Sequence, residues 1–343
     1  MRKSYLLTFF TFMLVLTFVV ASAFTGGVGQ CAPKGGEVLF YSAMIDYPMS
    51  RLMTAFEEDT GIKGSWVTMS TGEMIARALA EKKNPQADII IGLASEAIES
   101  VREEGIFLAY RSPVRKDIPA EYYDEEGVWC AFSLAALSIG INTERWESKY
   151  GDKPYPSKWE DLVDPAFKGE IVIPSPLHSG TAYTFLATIF FAIGEEKGWE
   201  YLTKLDKNVA YYTTSGAAPI RAVASGEFTL GLTFSQDQLM VAAAGYPIKI
   251  AFPKKTGPEI TSMAIIRDGP NPDGAKKFVD WMLGKKAQQM HSDLQFQPSP
   301  RSDVILPPGA IPLAELDLVE YDFIWAAENR DRIIEEWSQR FVN

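Results

Sequence analysis

Three short stretches of the chain combine hydroxyl side chains with glycine and come directly before segments with a helical pattern. They are residues 70–72, 179–181 and 213–216. The first backbone N–H groups of a helix have no partner within the helix, and the helix dipole adds partial positive charge there. Such an end can bind an anion, although Ser, Thr and Gly are also the usual residues of an ordinary helix cap. Each stretch is therefore a candidate anion site or a plain cap.

Two of these stretches carry further capping signals. The last one leads into residues 217–225, which favour a short helix with Thr214 or Ser215 as a possible N-cap. In the first one, Glu73 stands three residues after Ser70, which predicts a capping box.

Histidine and cysteine, which often bind metals or act in catalysis, are scarce, with two of each in the chain. The two histidines are far apart and outside any metal motif, so we expect His178 and His291 to be surface or loop residues. His178 beside Ser179 is the one neighbouring pair that suggests a hydrolase, and the Gly-x-Ser-x-Gly motif is absent. Cys31 and Cys130 could form a disulfide, or Cys130 could be a buried free thiol. We expect no catalytic residue, no metal and no cofactor.

The N-terminus has the features of a secretory signal over residues 1–23. Arg2 and Lys3 precede an apolar run over residues 5–20, which ends in an Ala-Ser-Ala cleavage site. A membrane anchor is the alternative, but the run is short for a span. A lipid-modified N-terminus at Cys31 is a further alternative, although the preceding residues fit it poorly.

Composition excludes other classes of protein. No later segment is long and apolar enough to cross a bilayer. The net charge of −11 argues against nucleic acid and anionic lipid as partners. At 343 residues, the chain is expected to form two domains or lobes.

Strand and helix patterns alternate after the signal segment. Strands are predicted at Glu37–Ser42, residues 64–69 and residues 87–91, each followed by a helical pattern. This alternation is typical of an α/β fold with a largely parallel sheet, in which ligands bind at the carboxyl ends of the strands. Further along, residues 274–291 favour one amphipathic helix.

Motifs along the chain resemble one known family. The stretches FEEDTGIK and STGEMIARALAEKKNPQADIIIG, and later PSKWEDL followed by DPAFKG, are similar to motifs of the extracellular solute-binding proteins of ABC importers. The similarity is to the ferric-iron-type branch (family 1) and runs from about residue 37 to residue 303.

The resemblance implies a two-lobed periplasmic-binding-protein fold of class II. Each lobe would be a mainly parallel sheet flanked by helices, with hinge strands between the lobes near residues 129–142 and 256–266. The first lobe would comprise residues 36–135 and 264–308. The second lobe would comprise residues 136–263 and 309–343.

The resemblance also implies a ligand cleft between the lobes. It brings the three hydroxyl and glycine stretches to this cleft, together with the end of the first strand and the start of the segment after residue 234. The ligand-binding residues predicted in this way are Ser42, Ser70, Thr71, Gly72, Ser179, Gly180, Thr181, Thr213, Thr214, Ser215, Gly216 and Asp237.

One departure from the family pattern bears on the ligand. Iron-binding members carry adjacent tyrosines where this chain has Ser235, Gln236 and Asp237. The pair Tyr211 and Tyr212 comes too early in the chain to replace them. Ferric iron prefers hard donors such as phenolate and carboxylate. We therefore expect an organic oxyanion such as a phosphonate or a sugar phosphate, with ferric iron as the alternative.

The expected function is capture of a small solute by hinge closure. Contacts from both lobes would stabilise the closed state. The partners would be the transmembrane subunits of an ABC permease with its cytoplasmic ATPase. The protein would be a monomer in the periplasm or on the extracellular face, free or membrane-tethered. A secreted hydrolase is the remaining alternative.

Overall fold

The computed structural model of the protein describes residues 36–342. The predicted signal peptide and Cys31 lie outside these residues, so the predictions made for them stay open. None of the described helices is both long and apolar enough to span a membrane.

The first lobe is built on three parallel strands. The central strand pairs with one neighbour on each side, and four of its six residues are buried. The first three residues of the third strand are buried as well. Continuous apolar burial is typical of a parallel strand that is covered on both faces. The predicted strand–helix alternation is confirmed. The elements are β1 (Glu37–Ser42), α1 (Asp46–Thr60), β2 (Lys63–Thr68), α2 (Thr71–Ala80), β3 (Ile89–Ala94), α3 (Ser95–Glu99) and the short β4 (Phe107–Leu108).

The second lobe repeats this arrangement. Its central strand β6 pairs in parallel with β7 and β8. The helix that follows β6 is buried along most of its length in the core of the lobe. The elements are α4 (Thr143–Tyr150), β6 (Ile171–Pro174), α5 (Gly180–Ile193), α6 (Glu195–Asp206), β7 (Val209–Thr213), α7 (Ala218–Ala224), β8 (Leu230–Phe234), α8 (Ser235–Ala243) and β9 (Ile248–Ala251).

Two long strands connect the lobes, as predicted. They are β5 (Cys130–Asn142) and β10 (Pro258–Ile266), which pair with each other in antiparallel orientation. β10 continues antiparallel beside β3 and β4, and the second half of β5 lies antiparallel beside β8 and β9. The result is one mixed sheet with the strand order β2-β1-β3-β10-β5-β8-β6-β7. The parallel parts are those predicted, and the connecting strands make the whole sheet mixed.

The helix predicted over residues 274–291 is instead two helices, α9 (Pro272–Met282) and α10 (Lys285–Gln295). The break falls at Gly284, whose backbone is extended, and glycine is a poor helix former. α9 packs on the first lobe, where the ring of Phe278 lies 4.5 Å from that of Phe40.

The C-terminal segment contacts both lobes. α11 (Phe323–Glu328) packs against α3 of the first lobe. α12 (Arg330–Phe341) buries Ile333 and Trp337 in the core of the second lobe. The domain boundaries predicted above stay a prediction.

Candidate ligand-binding cleft

A deep cleft lies between the lobes. Its first wall comes from the loops that follow β1 and β2, and its second wall from the loops that follow β6, β7 and β8. Five carboxyl ends of strands therefore meet at one cleft, which is where α/β sheets place their ligands. The connecting strands β5 and β10 and helix α10 form its floor.

Most of the predicted site residues line this cleft. The lining includes Ser70, Thr71, Ser179, Gly180, Thr181, Thr214, Ser215, Gly216 and Asp237.

Three predicted residues stand back from the lining. Ser42 is fully buried, and its hydroxyl accepts a hydrogen bond from the N–H of Met44 at 3.1 Å. Thr213 donates its hydroxyl to the carbonyl of Ser215 at 2.8 Å. Gly72 lies in the first turn of α2. The hydroxyls of Ser42 and Thr213 stabilise their own loops, since each already has a hydrogen-bond partner.

The N-terminus of α2 is closed by the capping box predicted from the sequence. Ser70 donates its N–H and its hydroxyl to one carboxylate oxygen of Glu73, at 2.9 and 2.8 Å. The Glu73 N–H completes the box by donating to the hydroxyl of Ser70. The Ser70 N–H and then its hydroxyl lower the pKa of Glu73, with a smaller contribution from His178 across the cleft. This helix end therefore already holds a carboxylate.

The N-terminus of α5, on the opposite wall, is open. Ser179 is its N-cap residue, but the Ser179 side chain makes no capping hydrogen bond. Within residues 36–342, the N–H groups of Gly180, Thr181 and Ala182 have no acceptor, and the hydroxyls of Ser179 and Thr181 have no partner. Several donors of one helix end are thus available to a ligand.

Two glycines bring further groups close to this open end. A Cβ at Gly216 would lie 2.2 Å from the hydroxyl oxygen of Thr181 and 3.0 Å from that of Ser179. A Cβ at Gly180 would lie 3.1 Å from the hydroxyl oxygen of Thr71 in the first lobe. Glycine at both positions therefore permits hydroxyl groups from the two lobes to lie close together at the start of α5.

The predicted N-cap of α7 is wrong. Ala217 is the N-cap residue, with a helical backbone, and it has no side-chain cap. Among the described residues, the hydroxyls of Thr214 and Ser215 have no partner and face the same cleft. They add to the hydroxyl groups around the start of α5.

The other side of the cleft carries hydrogen-bond acceptors. Burial raises the pKa of Asp237 to about 6, and one of its oxygens accepts a hydrogen bond from Thr233 at 2.7 Å. Burial also raises the pKa of Glu259 well above its usual value, and the carboxyls of Glu96 and Asp237 add to this effect. Glu259 and Gln236, which also line the cleft, were missed by sequence reasoning. Glu259 could have been found from the sequence, because it is the one charged residue of the otherwise mostly apolar strand β10.

The prediction that His291 is a surface or loop residue is wrong. His291 lies on α10 and is 1% exposed. Its ring packs edge-on against Phe132, with the centroids 4.9 Å apart. Burial lowers the pKa of His291 to about 4, so the imidazole is neutral at pH 7. Its side chain lines the floor of the cleft.

The sequence matches the bacterial extracellular solute-binding protein family over residues 84–325, which is more than half of the chain. The chain belongs to this family. It is the solute-binding component of an ABC importer, so its partners are a small-molecule ligand and a membrane permease.

Several relatives of this solute-binding protein are similar over most of their length. An uncharacterized protein of Haemophilus influenzae is 33% identical over 323 residues, covering 91% of this chain and 92% of the relative. The periplasmic binding protein AfuA of Actinobacillus pleuropneumoniae, solved with fructose-6-phosphate bound, is 32% identical. Its TM-score is 0.85, and the match covers 89% of this chain and 98% of AfuA. Iron uptake protein A1 of Synechocystis is 27% identical over 297 residues, covering 79% of this chain and 80% of the relative.

Two charged or titratable residues of the solute-binding protein's cleft are exposed, Arg221 and His178. Arg221 on α7 lines the cleft and forms no ion pair within the described part of the chain. His178 is exposed at the cleft, and no hydrogen bond joins it to Ser179 among the described residues. Tyr211 is exposed outside the cleft, and Tyr212 donates its hydroxyl to Asp206 at 2.6 Å.

Proposed function

We propose that this solute-binding protein captures a sugar phosphate, with the phosphate at the N-terminus of α5. The observation that carries the proposal is the open end of that helix. It offers the N–H groups of Gly180, Thr181 and Ala182 beside the hydroxyls of Ser179 and Thr181. Backbone N–H groups at a helix N-terminus bind phosphate through hydrogen bonds and the helix dipole.

The composition of the cleft supports an organic group on the phosphate. The carboxyls of Asp237 and Glu259 and the amide oxygen of Gln236 can each accept a hydrogen bond, and they line the same cleft as the donors of α5. Acceptors on several elements suit a ligand whose organic part carries several hydroxyl groups. The relative AfuA was solved with such a compound, fructose-6-phosphate.

The proposed transport step is closure of the lobes around the ligand. Thr71 of the first lobe and Ser179 of the second would both donate their hydroxyls to a phosphate at the start of α5, since Oγ1 of Thr71 lies beside Gly180. A ligand that contacts both lobes binds the closed form more tightly and so shifts the protein toward it. β5 and β10 would bend as the hinge, and the permease would recognise the closed form.

The finer points of location and assembly belong to this proposal. Residues 1–23 would direct export and be removed. The protein would then act as a monomer in the periplasm or on the extracellular face, free or tethered through Cys31. It would bind and release its ligand unchanged, without an enzymatic step.

Ferric iron is the second candidate, because one relative is named an iron uptake protein. The described residues that line the cleft include carboxylates but no tyrosine. Since ferric iron favours phenolate donors beside carboxylate and imidazole, this lining supports an oxyanion ligand instead.

The proposal is tested by thermal unfolding of the mature chain with fructose 6-phosphate, 2-aminoethylphosphonate, inorganic phosphate or ferric citrate. A ligand that binds only the folded protein raises its free energy of unfolding, by about 2.7 kcal/mol at one hundred times the Kd, and so raises the melting temperature. We expect the largest increase with fructose 6-phosphate. An increase with ferric citrate alone would replace the proposal with the iron alternative.

A further inference from the structure

We infer that His291 determines ligand specificity by accepting, at Nδ1, a hydrogen bond from a ligand hydroxyl remote from the phosphate. This inference rests on the proposed function. It adds a contact from the cleft floor, on a helix outside the hydroxyl and glycine loops.

The hydrogen bonds around His291 define which ring nitrogen carries the hydrogen. Nε2 of His291 lies 3.0 Å from Oε1 of Gln297, and the hydroxyl of Ser133 donates to the same Oε1 at 3.2 Å. With the amide oxygen of Gln297 facing Nε2, the hydrogen of the neutral imidazole is on Nε2, because an amide oxygen can only accept. Nδ1 is therefore a bare acceptor.

This acceptor has no partner within residues 36–342, although His291 is 1% exposed. Buried polar groups are almost always paired, because leaving one unpaired costs free energy. Two other buried atoms of the cleft lining also have no hydrogen-bond partner among the described residues, Oγ1 of Thr261 and Oε1 of Gln236. The three atoms come from three different elements of one cleft, so a ligand is the simplest common partner.

The chemistry of these atoms selects the partner of His291. Nδ1 of a neutral imidazole can accept but cannot donate, and the amide oxygen of Gln236 has the same limit. Asp237 and Glu259 line the same cleft with carboxyl groups. A ligand hydroxyl matches this lining, since it brings a donor without charge. A second phosphate would bring only acceptors and negative charge.

Two substitutions separate a ligand contact from a structural role. In His291→Gln, the terminal amide reaches the position of Nε2 and can keep the bond to Gln297, but no acceptor remains at the position of Nδ1. In His291→Asn, the side-chain oxygen takes the position of Nδ1, and the bond to Gln297 is lost. His291→Gln thus keeps only the hydrogen bond made by Nε2, and His291→Asn keeps only the acceptor at Nδ1.

The measurement is calorimetric titration of the mature protein and both variants with fructose 6-phosphate and with inorganic phosphate. We expect His291→Gln to bind fructose 6-phosphate about tenfold more weakly, which corresponds to about 1.4 kcal/mol. Its affinity for inorganic phosphate should stay unchanged. His291→Asn should keep most of the affinity for fructose 6-phosphate while melting at a lower temperature than His291→Gln.

Three results would overturn the inference. If His291→Gln binds fructose 6-phosphate as tightly as the wild-type protein, His291 does not contact the ligand, and the proposed function is unaffected. Equal losses of affinity in both variants, for inorganic phosphate as well, would assign His291 a structural role. Failure of the wild-type protein to bind any phosphorylated compound would overturn the proposed function and this inference together.

Discussion

The N-termini of α2 and α5 lie on opposite walls of one cleft and begin with similar residues, yet they differ in what they offer to a ligand. Ser70 at the start of α2 is bound on both its N–H and its hydroxyl by Glu73. Ser179 at the start of α5 makes no capping bond. The difference lies at the third helical residue, which is Glu73 in α2 and Ala182 in α5.

This comparison separates a structural helix end from a binding end. The carboxylate of Glu73 already neutralises the dipole of α2 and would repel an anionic ligand. At the start of α5 the corresponding position holds an apolar methyl group, so the Ala182 N–H stays unpaired among the described residues, whereas the Glu73 N–H is bound to Ser70. The N–H groups of Thr71 and Gly72 are unpaired there as well, so the carboxylate of Glu73 is the main difference between the two ends. Hydroxyl and glycine composition alone does not distinguish the two ends.

The largest effect is expected from removing the hydroxyls at the open end. We expect the double variant Ser179→Ala, Thr181→Val to bind fructose 6-phosphate about 100-fold more weakly. Each hydroxyl would donate one bond to a charged phosphate, which contributes about 1.5 kcal/mol. The melting temperature should hardly change, because neither hydroxyl has a partner within the described residues. Calorimetric titration beside thermal unfolding checks both points, and wild-type affinity would show that α5 is not the binding end.

The matched substitution at the closed end should have the opposite profile. Ser70→Ala removes the capping box of α2, and loss of such a cap costs about 1 kcal/mol. We therefore expect a lower free energy of unfolding in urea and an affinity for fructose 6-phosphate close to that of the wild-type protein. A large loss of affinity with unchanged stability would reverse the roles of the two helix ends.

The smallest effect is expected from the charge at the closed end. The pKa of Glu73 is lowered in the folded protein, chiefly by the Ser70 N–H. The folded state then holds fewer protons on this group than the unfolded state, so its contribution to stability is present above the usual pKa and is lost as the pH falls below it.

Glu73→Gln keeps the shape of the box without the charge. Its free energy of unfolding should depend less on pH below about 4.5 than that of the wild-type protein. Denaturant unfolding at several pH values measures this, and identical pH profiles would contradict the role given to Glu73. The same variant should bind a phosphate dianion slightly more tightly at pH 7.

Much of the fold was predictable because it follows from local patterns. Short apolar runs gave β1 and β3, and the spacing of Ser70 and Glu73 gave the capping box. The long connecting strands β5 and β10 came from the family resemblance and are confirmed. Each of these features depends on a short stretch of sequence or on a known arrangement.

The cleft was predictable in its loops but not in its floor. Nothing local distinguishes Ser179, whose hydroxyl is unpaired among the described residues, from Ser42, whose hydroxyl is bound by its own loop. His291 was misplaced because the helix pattern of its segment does not reveal that β5 packs over it. Burial of Glu259 likewise depends on partners that are distant in the sequence. Long-range packing decided each of these positions.

The most direct test of the account is a crystal structure of the mature protein with fructose 6-phosphate bound. The account predicts the phosphate at the start of α5, hydrogen-bonded to the N–H of Thr181 and the hydroxyl of Ser179, with the sugar directed toward Asp237 and Glu259. A phosphate bound instead at Arg221 or at the start of α2, with the donors of α5 unoccupied, would contradict it.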